Sequence, residues 1–259
     1  MLTVISPAKR LDWAERDIAM TKPRFAGDAV HLAGVARGLS EAELGKLMDI
    51  SPSLAKLNAE RFRDFEAAEA DVRPAALAFA GDTYQGLEAA SLDAEDLRFA
   101  QERLRILSGL YGILRPLDAI RQYRLEMGSR LQNEMGPNLY AYWGDRIAEA
   151  LREDARSLGT DVLINCASVE YFTAADRAAL GLRVITPQFL EDKPGGPKIV
   201  SFYAKKARGA MARFIIERRL TEPASILEFD LGGYAHAPEL SEPGKPAFLR
   251  SEAAAQNAA

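Results

Sequence analysis

The chain contains very few of the side chains that form disulfides and soft-ligand metal centres. Its 259 residues include one cysteine, Cys166, and two histidines, His31 and His236. A single cysteine forms no internal disulfide, and the sequence has no CxxC, no HExxH and no histidine pair at helical spacing. We therefore expect no cofactor and no bound metal of this kind, while a site built only from carboxylates stays open.

Long apolar runs are also missing. No segment approaches the roughly 20 apolar residues that a membrane span needs, and the opening MLTVISPAK lacks a charged leader followed by a long apolar run. We therefore expect a cytoplasmic protein with no membrane association. The sequence does not fix the oligomeric state, and a monomer is our working expectation.

Short apolar runs alternate with helical periodicity along the chain, which is typical of the α/β class. Strands are predicted at 2–5, 75–79, 161–166, 183–185, 198–203 and 226–230, and helices at 41–48, 52–70, 95–107, 139–157 and 204–220. We expect one compact domain over residues 1–250, with a mixed β-sheet and surrounding helices. The small and polar residues 251–259 predict a disordered tail.

Two consecutive helix-start signals lie within residues 40–68. Ser40 and Glu43 form a capping box, and Ser51 followed by Pro52 supplies a second N-cap. These signals predict two helices joined by a turn of about three residues. Free amides at the start of the second helix can bind a nucleic-acid phosphate. Two helices that only pack together are the simpler interpretation, because the turn lacks the glycines usual in DNA-binding hairpins.

Charge is distributed unevenly, although the whole chain has 33 basic and 37 acidic residues and a formal net charge of −4. Residues 98–130 hold seven arginines against three acids, and residues 193–219 hold eight basic side chains against one glutamate. On the predicted helix at 204–220 the basic side chains spread over one half of the surface: Lys205, Lys206, Arg208, Arg213 and Arg219. Such segregation is typical of a protein that binds a polyanion, and an ordinary solvated face is the alternative.

Two polar segments directly follow predicted strands, where α/β proteins commonly place functional groups. Asp82, in GDTYQG at 81–86, is a candidate general base or carboxylate ligand, and Lys9, in SPAK at 6–9, is a candidate anion-binding residue. A turn-capping aspartate and a surface lysine are the simpler interpretations. The chain has neither a G-x-x-x-x-G-K-[ST] phosphate loop nor a G-x-G-x-x-G turn.

Aromatic side chains near the basic segments could stack on bases if they are exposed. The candidates are Tyr111, Tyr123, Trp143, Tyr171 and Tyr203. Aromatic residues at this spacing more often fill the core. Cys166 ends an apolar run, so we expect a buried thiol rather than a nucleophile.

Several long motifs are distinctive. They are ISPAK at 5–9, GDTYQGL at 81–87, LSGLYGILRPLD at 107–118, YRLEMG at 123–128, LY and WG within 139–144, AS and EYF within 167–172, and FYAKKARG at 202–209. With these motifs the chain resembles the YaaA family of bacterial peroxide-stress proteins over nearly its whole length. It departs from the family pattern at Arg10, Gln122 and Cys166, where Thr, Pro and Leu are usual.

The resemblance implies a cytoplasmic protein that limits hydrogen peroxide damage by keeping reactive iron low. It also implies DNA binding through a positively charged cleft and a helix-hairpin-helix element, which we assign to residues 40–68. We expect contacts to phosphates of duplex and of distorted or partly single-stranded DNA, with little sequence specificity, since no base-reading signal is present. The expected DNA-binding residues are Lys9, Ser51, Ser53, Lys56, Arg115, Arg124, Lys205, Lys206, Arg208 and Arg213.

An enzyme that acts on a nucleic acid or a nucleotide is the competing hypothesis. In it Asp82 is the base or carboxylate ligand, Lys9 and Tyr84 assist, and the arginine-rich segment holds phosphate. The gathering of polar residues at several strand ends, which DNA binding alone does not need, motivates this hypothesis. Direct iron storage has less support, because no Glu-x-x-His helix is present.

Overall fold

A five-stranded sheet lies at the centre of the computed structural model, which describes residues 1–66 and 71–257. The strands are β1 Leu2–Ile5, β2 Arg10–Leu11, β3 Arg73–Pro74, β4 Phe79–Ala80, β5 Leu104–Ser108, β6 Gly112–Leu114, β7 Ala119–Ile120, β8 Val162–Cys166, β9 Arg183–Ile185, β10 Gln188–Glu191, β11 Tyr234–His236 and β12 Ala247–Arg250. The α-helices are α1 Ala26–Arg37, α2 Glu41–Met48, α3 Pro52–Arg63, α4 Ala75–Ala78, α5 Asp82–Leu87, α6 Ala94–Arg103, α7 Leu139–Trp143, α8 Arg146–Ser157, α9 Val169–Phe172, α10 Ser201–Glu217 and α11 Glu252–Asn257.

The central sheet has the strand order β6-β5-β1-β8-β9. Four strands are parallel, with Thr3 opposite Leu104 on one side of β1 and opposite Ile164 on the other, and only the edge strand β6 is antiparallel. Strands β1, β5 and β8 are buried along their whole length, as expected for parallel strands covered by helices on both faces. The expectation of a mixed sheet with surrounding helices is confirmed.

The chain leaves β1 and β8 in opposite directions across this sheet. From β1 it crosses to β5 on one side, and from β8 it crosses to β9 on the other. This reversal leaves a crevice outside the carboxyl ends of β1 and β8, where ligands bind in open α/β sheets.

Three smaller sheets flank the centre: β10-β12-β11, β2-β4 and β3-β7. Phe189, Phe229 and Phe248, with ring centroids 5.5 to 5.6 Å apart, form a cluster at the first of these sheets, and Phe214 of α10 packs against Phe229 at 5.5 Å. This aromatic contact fixes the three-stranded sheet to α10.

The helix-turn-helix prediction at 40–68 is confirmed as local structure. The Ser40 hydroxyl accepts the Glu43 amide and the Glu43 carboxylate accepts the Ser40 amide, which begins α2, and the Ser51 hydroxyl accepts the Leu54 amide at the start of α3. Asp49 closes α2 in the left-handed conformation, with φ of 50°. Helix α3 ends at Arg63, and residues 67–70 of the predicted helix lie outside the described residues.

Half of the predicted strands are wrong. The strands at 2–5, 161–166 and 183–185 are confirmed, the second from Val162. Residues 75–78 form α4 instead, because a run of alanines favours a helix as strongly as burial favours a strand. The run at 198–203 instead leads into α10, which begins at Ser201. The run at 226–230 begins inside a 3₁₀ helix at Pro223–Glu228.

Two other predicted helices are, like the one at 52–70, shorter than expected. The helix predicted at 95–107 ends at Arg103, and its last residues form β5 instead. The helix predicted at 139–157 is divided into α7 and α8 at Gly144, whose φ of 49° a continuous helix does not allow. At the carboxyl terminus, α11 occupies part of the segment that was predicted to be disordered.

Helices α5 and α10 cross backbone against backbone. A Cβ atom added at Gly209 would lie 1.7 Å from the Thr83 carbonyl oxygen, and one added at Gly86 would lie 2.0 Å from the Lys206 carbonyl oxygen. Only glycine allows this approach. The crossing therefore fixes the start of α5, with Asp82, beside the basic residues of α10.

We expect Gly209→Ala to destabilise the protein by about 3 kcal/mol, because the methyl group must separate the two helices or distort them. Gly34→Ala, in the middle of α1, is the matched control, since its Cβ would meet only the Arg37 guanidinium at 3.9 Å. The control should stabilise α1 by about 0.5 to 1 kcal/mol through helix propensity. Denaturant unfolding measures both values, and equal effects would show that the crossing is not tightly packed.

Candidate functional site

A pocket of about 420 Å³ lies at the carboxyl ends of β1 and β8. We call it the strand-end pocket. Its lining residues are Ser6, Pro7, Ala8, Lys9, Arg10, Ala80, Gly81, Asp82, Thr83, Glu126, Cys166, Ser168, Glu170, Tyr171, Lys205 and Arg208. The sheet topology places a ligand crevice at this point, so the pocket lies where an α/β protein is expected to bind.

Hydrogen bonds between the two strand ends hold the floor of the strand-end pocket. The Ser6 hydroxyl accepts the Ser168 amide at 2.9 Å and donates to the Ser168 hydroxyl at 3.3 Å. The buried Tyr84 hydroxyl donates to the Ser6 carbonyl at 3.2 Å. These bonds fix the loop after β1, and with it the position of Lys9.

The cations of the pocket differ in how they are neutralised. The Lys9 ammonium lies 2.9 Å from a Glu126 oxygen, and Glu126 also binds Arg124 at 3.2 Å. In contrast, the side chains of Arg10, Lys205 and Arg208 make no hydrogen bond or ion pair within residues 1–66 and 71–257. Three positive charges at the pocket are thus available to an anionic ligand.

Arg208 is the most enclosed of these cations. Its side chain is half-buried beside the Cys166 thiol, and burial lowers the pKa of its guanidinium. An arginine stays protonated at neutral pH, so this pocket contains a partly desolvated positive charge. Such a charge is costly without a counter-ion, which favours the binding of an anion.

Three carboxylates also line the strand-end pocket. Asp82, the first residue of α5, is half-buried and has no hydrogen-bond partner in the described chain. Glu170 accepts the Gly128 amide at 2.9 Å, and Glu126 pairs with Lys9. Burial raises the pKa of the Tyr171 phenol well above its usual value, so this hydroxyl stays protonated. The site therefore combines anion-binding cations with a free carboxylate, which suits acid-base chemistry as well as binding.

The structure brings four of the candidate residues together in the strand-end pocket: Lys9, Asp82, Lys205 and Arg208. Lys206 is exposed on the neighbouring surface of α10. Tyr84 lies beneath the pocket and supports its floor instead of lining it.

Other candidates lie elsewhere or are already occupied. Arg124 is 16% exposed and bound to Glu126, and Arg213 is 17% exposed and bound to Glu217, Ser91 and two carbonyls. Arg115 follows β6, whose antiparallel direction places it at the opposite edge of the sheet. Ser51, Ser53 and Lys56 are exposed on the helical hairpin, and none of them lines the strand-end pocket.

The aromatic candidates for base stacking are mostly core residues. Tyr111, Tyr123, Trp143 and Tyr171 are each at most 8% exposed, so stacking by these four side chains is excluded. Only Tyr203, 38% exposed at the start of α10, is accessible among the five.

Sequence reasoning missed Ser6, Glu126, Ser168 and Glu170 as site residues. All four lie within the distinctive motifs, yet they come from three distant segments that meet only at the sheet edge. Position after a strand was a signal for Ser6 and Ser168, which follow the correctly predicted strands at 2–5 and 161–166, whereas no short-range signal places Glu126 beside them.

The strand-end pocket is therefore built almost entirely from the motifs that resemble one family. Residues 1–240 match the family described as peroxide stress protein YaaA. The chain belongs to this family. Relatives of the YaaA chain include UPF0246 proteins of Jannaschia sp., 71% identical over 98% of both chains, and of Ruegeria pomeroyi, 66% identical over 96% of this chain and 98% of that one. A third, from Roseobacter denitrificans, is 63% identical over 96% and 98%.

Membrane-crossing helices and clusters of metal-ligating side chains are both absent from the part of the chain that the structure describes. Among the described residues of this YaaA family member, no helix combines the length and apolar character that a membrane crossing needs. In that same part of the chain, His, Cys, Asp and Glu side chains form no group of three or more that could hold a metal ion.

The reactivity of the Cys166 thiol tests whether this part of the lining of the strand-end pocket is closed to solvent. Burial raises the pKa of its thiol to about 12, although the Arg208 charge acts in the opposite direction. A thiol in the unfolded chain titrates near 9, so ionisation of Cys166 favours unfolding as the pH rises from about 9 to 12. At neutral pH the native thiol should react with iodoacetamide roughly a thousandfold more slowly than in the unfolded chain.

Mass spectrometry of the alkylated protein measures this rate, with the guanidinium-unfolded chain as control. Comparable rates in the folded and unfolded chains would show that Cys166 is accessible and ionised. That result would contradict the buried position of this residue.

Proposed function

We propose that this YaaA family member is a cytoplasmic DNA-binding protein of the hydrogen peroxide response, and that DNA binding is its part in limiting damage linked to free iron. The observation that supports DNA binding is the exposed surface of α10 at the strand-end pocket. Lys205, Lys206 and Arg208 follow one another there without an acidic partner among the described residues. The part in peroxide stress rests on the family.

Phosphate contacts suit this surface better than base reading. Lysine acts as a point charge toward phosphate, and phosphate contacts carry no sequence information. A pocket of about 420 Å³ is the size of a small-molecule site, so a duplex would lie across its mouth and not inside it. We therefore propose a basic cleft in which α10 contacts the backbone of duplex or partly single-stranded DNA with little sequence preference.

The helical hairpin is a second proposed contact. At the start of α3, Pro52 has no amide hydrogen and the Leu54 amide binds the Ser51 hydroxyl, so the Ser53 amide is the one available to a ligand, and Lys56 is exposed one turn further on. Amides at a helix start bind phosphate favourably. On this proposal α2 and α3 act as a helix-hairpin-helix element that orients the DNA, although it is separate from the strand-end pocket.

We expect the double variant Lys205→Glu/Lys206→Glu to weaken duplex binding at least tenfold for all sequences. It should also reduce the slope of log affinity against log salt by about 2, because two phosphate contacts are lost. Fluorescence anisotropy of a labelled duplex across a salt series measures both quantities.

The matched control reverses two charges at the opposite edge of the sheet, in Lys22→Glu/Arg115→Glu. This control should bind as the native protein does. An equal loss in both double variants would assign binding to overall charge rather than to α10. Absence of salt dependence in the native protein would contradict DNA binding through phosphates.

An enzyme acting on a nucleic acid or nucleotide is the second candidate function. The unpaired, half-buried Asp82 favours it, since it lies in the same pocket as Lys9, Tyr171 and Arg208. DNA binding alone has no need of a free carboxylate beside anion-binding groups. Asp82 would act as a general base or a carboxylate ligand, and the cations would hold phosphate.

The test of this candidate is incubation of the protein with intact DNA, damaged DNA and nucleotides in Mg²⁺ or Mn²⁺. We expect products whose formation falls at least a hundredfold in Asp82→Asn, which keeps the shape and removes the base. Gln85→Glu, an exposed change on the same helix, is the control. Products formed equally by Asp82→Asn, or none at all, would reject the enzyme.

A further inference from the structure

A second pocket, of about 500 Å³, lies at the same edge of the central sheet. It is bounded by the carboxyl ends of β8 and β9, the start of β10, the turn at 243–245 and α10. The segment at 167–169 separates it from the strand-end pocket, because Ser168 lines one pocket while Ala167 and Val169 line the other. We call it the side pocket.

Arg208 is the one residue of the described chain that lines both pockets. Its guanidinium has no hydrogen bond or ion pair within the described residues and is half-buried. Because this guanidinium is already partly desolvated, an anion can pair with it at little further cost in desolvation. An anionic group bound by Arg208 would therefore lie at the junction of the two pockets.

The side pocket has the chemistry of a ring-binding site. Its walls are largely apolar and include Phe172, Val184, Phe189, Ile199 and Ala204. Such walls, with a few polar groups that fix orientation, are typical of small-molecule pockets, and the two phenylalanines suit a planar ring.

Besides Arg208, the polar side chains that line the side pocket are Asn165, Thr173, Asp176, Thr186, Gln188 and Lys245, and Lys245 is paired with Glu242 at 3.1 Å. The Asn165 amide oxygen accepts the Ala167 amide and its nitrogen lies 3.3 Å from the Thr186 hydroxyl, so both are held in place. The Gln188 amide has no side-chain partner among the described residues and is available to a ligand. A carboxamide presents a donor and an acceptor side by side, which matches the edge of a nucleobase.

We propose that the two pockets together bind one nucleoside phosphate, with its phosphate against Arg208 and its base in the side pocket. This proposal depends on the proposed function in one respect, namely that the ligand is a nucleotide or part of a nucleic acid. Arg208 is common to both proposals, but the side pocket takes no part in duplex binding, and the duplex test changes only the exposed Lys205 and Lys206. The ligand has two sources, a free mononucleotide or an unpaired nucleotide of a DNA strand.

The first experiment measures binding of the full chain by calorimetry at fixed salt, with dAMP, deoxyadenosine, inorganic phosphate and octyl phosphate as probes. We expect dAMP to bind at least tenfold more tightly than each of the other three. Equal affinity for inorganic phosphate would reduce the site to an anion site, and equal affinity for octyl phosphate would show that no base is recognised. Either result overturns the proposal.

Two variants separate the two parts of the ligand. Arg208→Gln should weaken dAMP and phosphate binding alike by at least tenfold, while Gln188→Trp, which fills the side pocket, should weaken dAMP and leave phosphate unchanged. Lys22→Glu, at the opposite edge of the sheet, should change neither. If Gln188→Trp binds dAMP as the native protein does, the base lies elsewhere and the proposal is wrong.

Methyl NMR of the native protein avoids dependence on how a variant folds. The methyl groups of Val184 and Ile199 should shift on addition of dAMP, through the ring current of the base, and not on addition of phosphate. Shifts confined to other methyl groups would overturn the proposal.

Oligonucleotides distinguish the two sources. A duplex with one unpaired adenine should shift the same methyl groups if the site takes a nucleotide within DNA, whereas dAMP alone should shift them if the ligand is free. Loss of duplex binding in Lys205→Glu/Lys206→Glu with unchanged dAMP binding would separate the two proposals. Failure of dAMP to bind while duplex binding persists would reject this inference and leave the proposed function intact.

Discussion

The close crossing of α5 and α10 determines the arrangement of the whole candidate site. Gly86 and Gly209 let the two backbones touch, and every charged group contributed by either helix is placed by that contact. Asp82 begins α5, while Lys205 and Arg208 lie on the turns of α10 before Gly209. A wider separation would divide the free carboxylate from the free cations, and the strand-end pocket would open.

The burial and pairing of these charged side chains determine which ligands the strand-end pocket favours. The pocket has nearly balanced charge, but its carboxylates and cations are unequally paired: Glu126 neutralises Lys9, whereas Arg208 is left without a partner in the described chain. A half-buried arginine without a carboxylate favours an anionic ligand more strongly than an exposed lysine does, because the ligand replaces little water. We therefore expect the affinity of the strand-end pocket for phosphate to depend on the burial of Arg208 as much as on its charge.

Sequence patterns predicted the parts of the site that depend on local signals. The capping box at Ser40, the strand at 2–5 and the position of Lys9 after that strand follow from short-range rules. Asp82 was placed after a strand at 75–79, of which only Phe79 is in a strand, yet it lies in the same pocket. The strands at 104–108 and 188–191 were not predicted, since the first continues a helical pattern and the second has only two apolar residues, between Gln188 and Glu191. Burial of the basic side chains was not predicted: Arg124 and Arg213 look like free cations in the sequence, yet each is largely buried and paired with a glutamate nearby in the chain, and Arg213 also binds the Leu87 carbonyl of α5.

Lysine footprinting tests most directly whether the α10 surface receives DNA. The native protein is acylated with and without duplex DNA at low salt, and the modified lysines are quantified by mass spectrometry. The account predicts that DNA protects Lys205 and Lys206 severalfold, while Lys22 at the opposite sheet edge reacts as before. Equal protection of all three lysines, or no protection of Lys205 and Lys206, would contradict it.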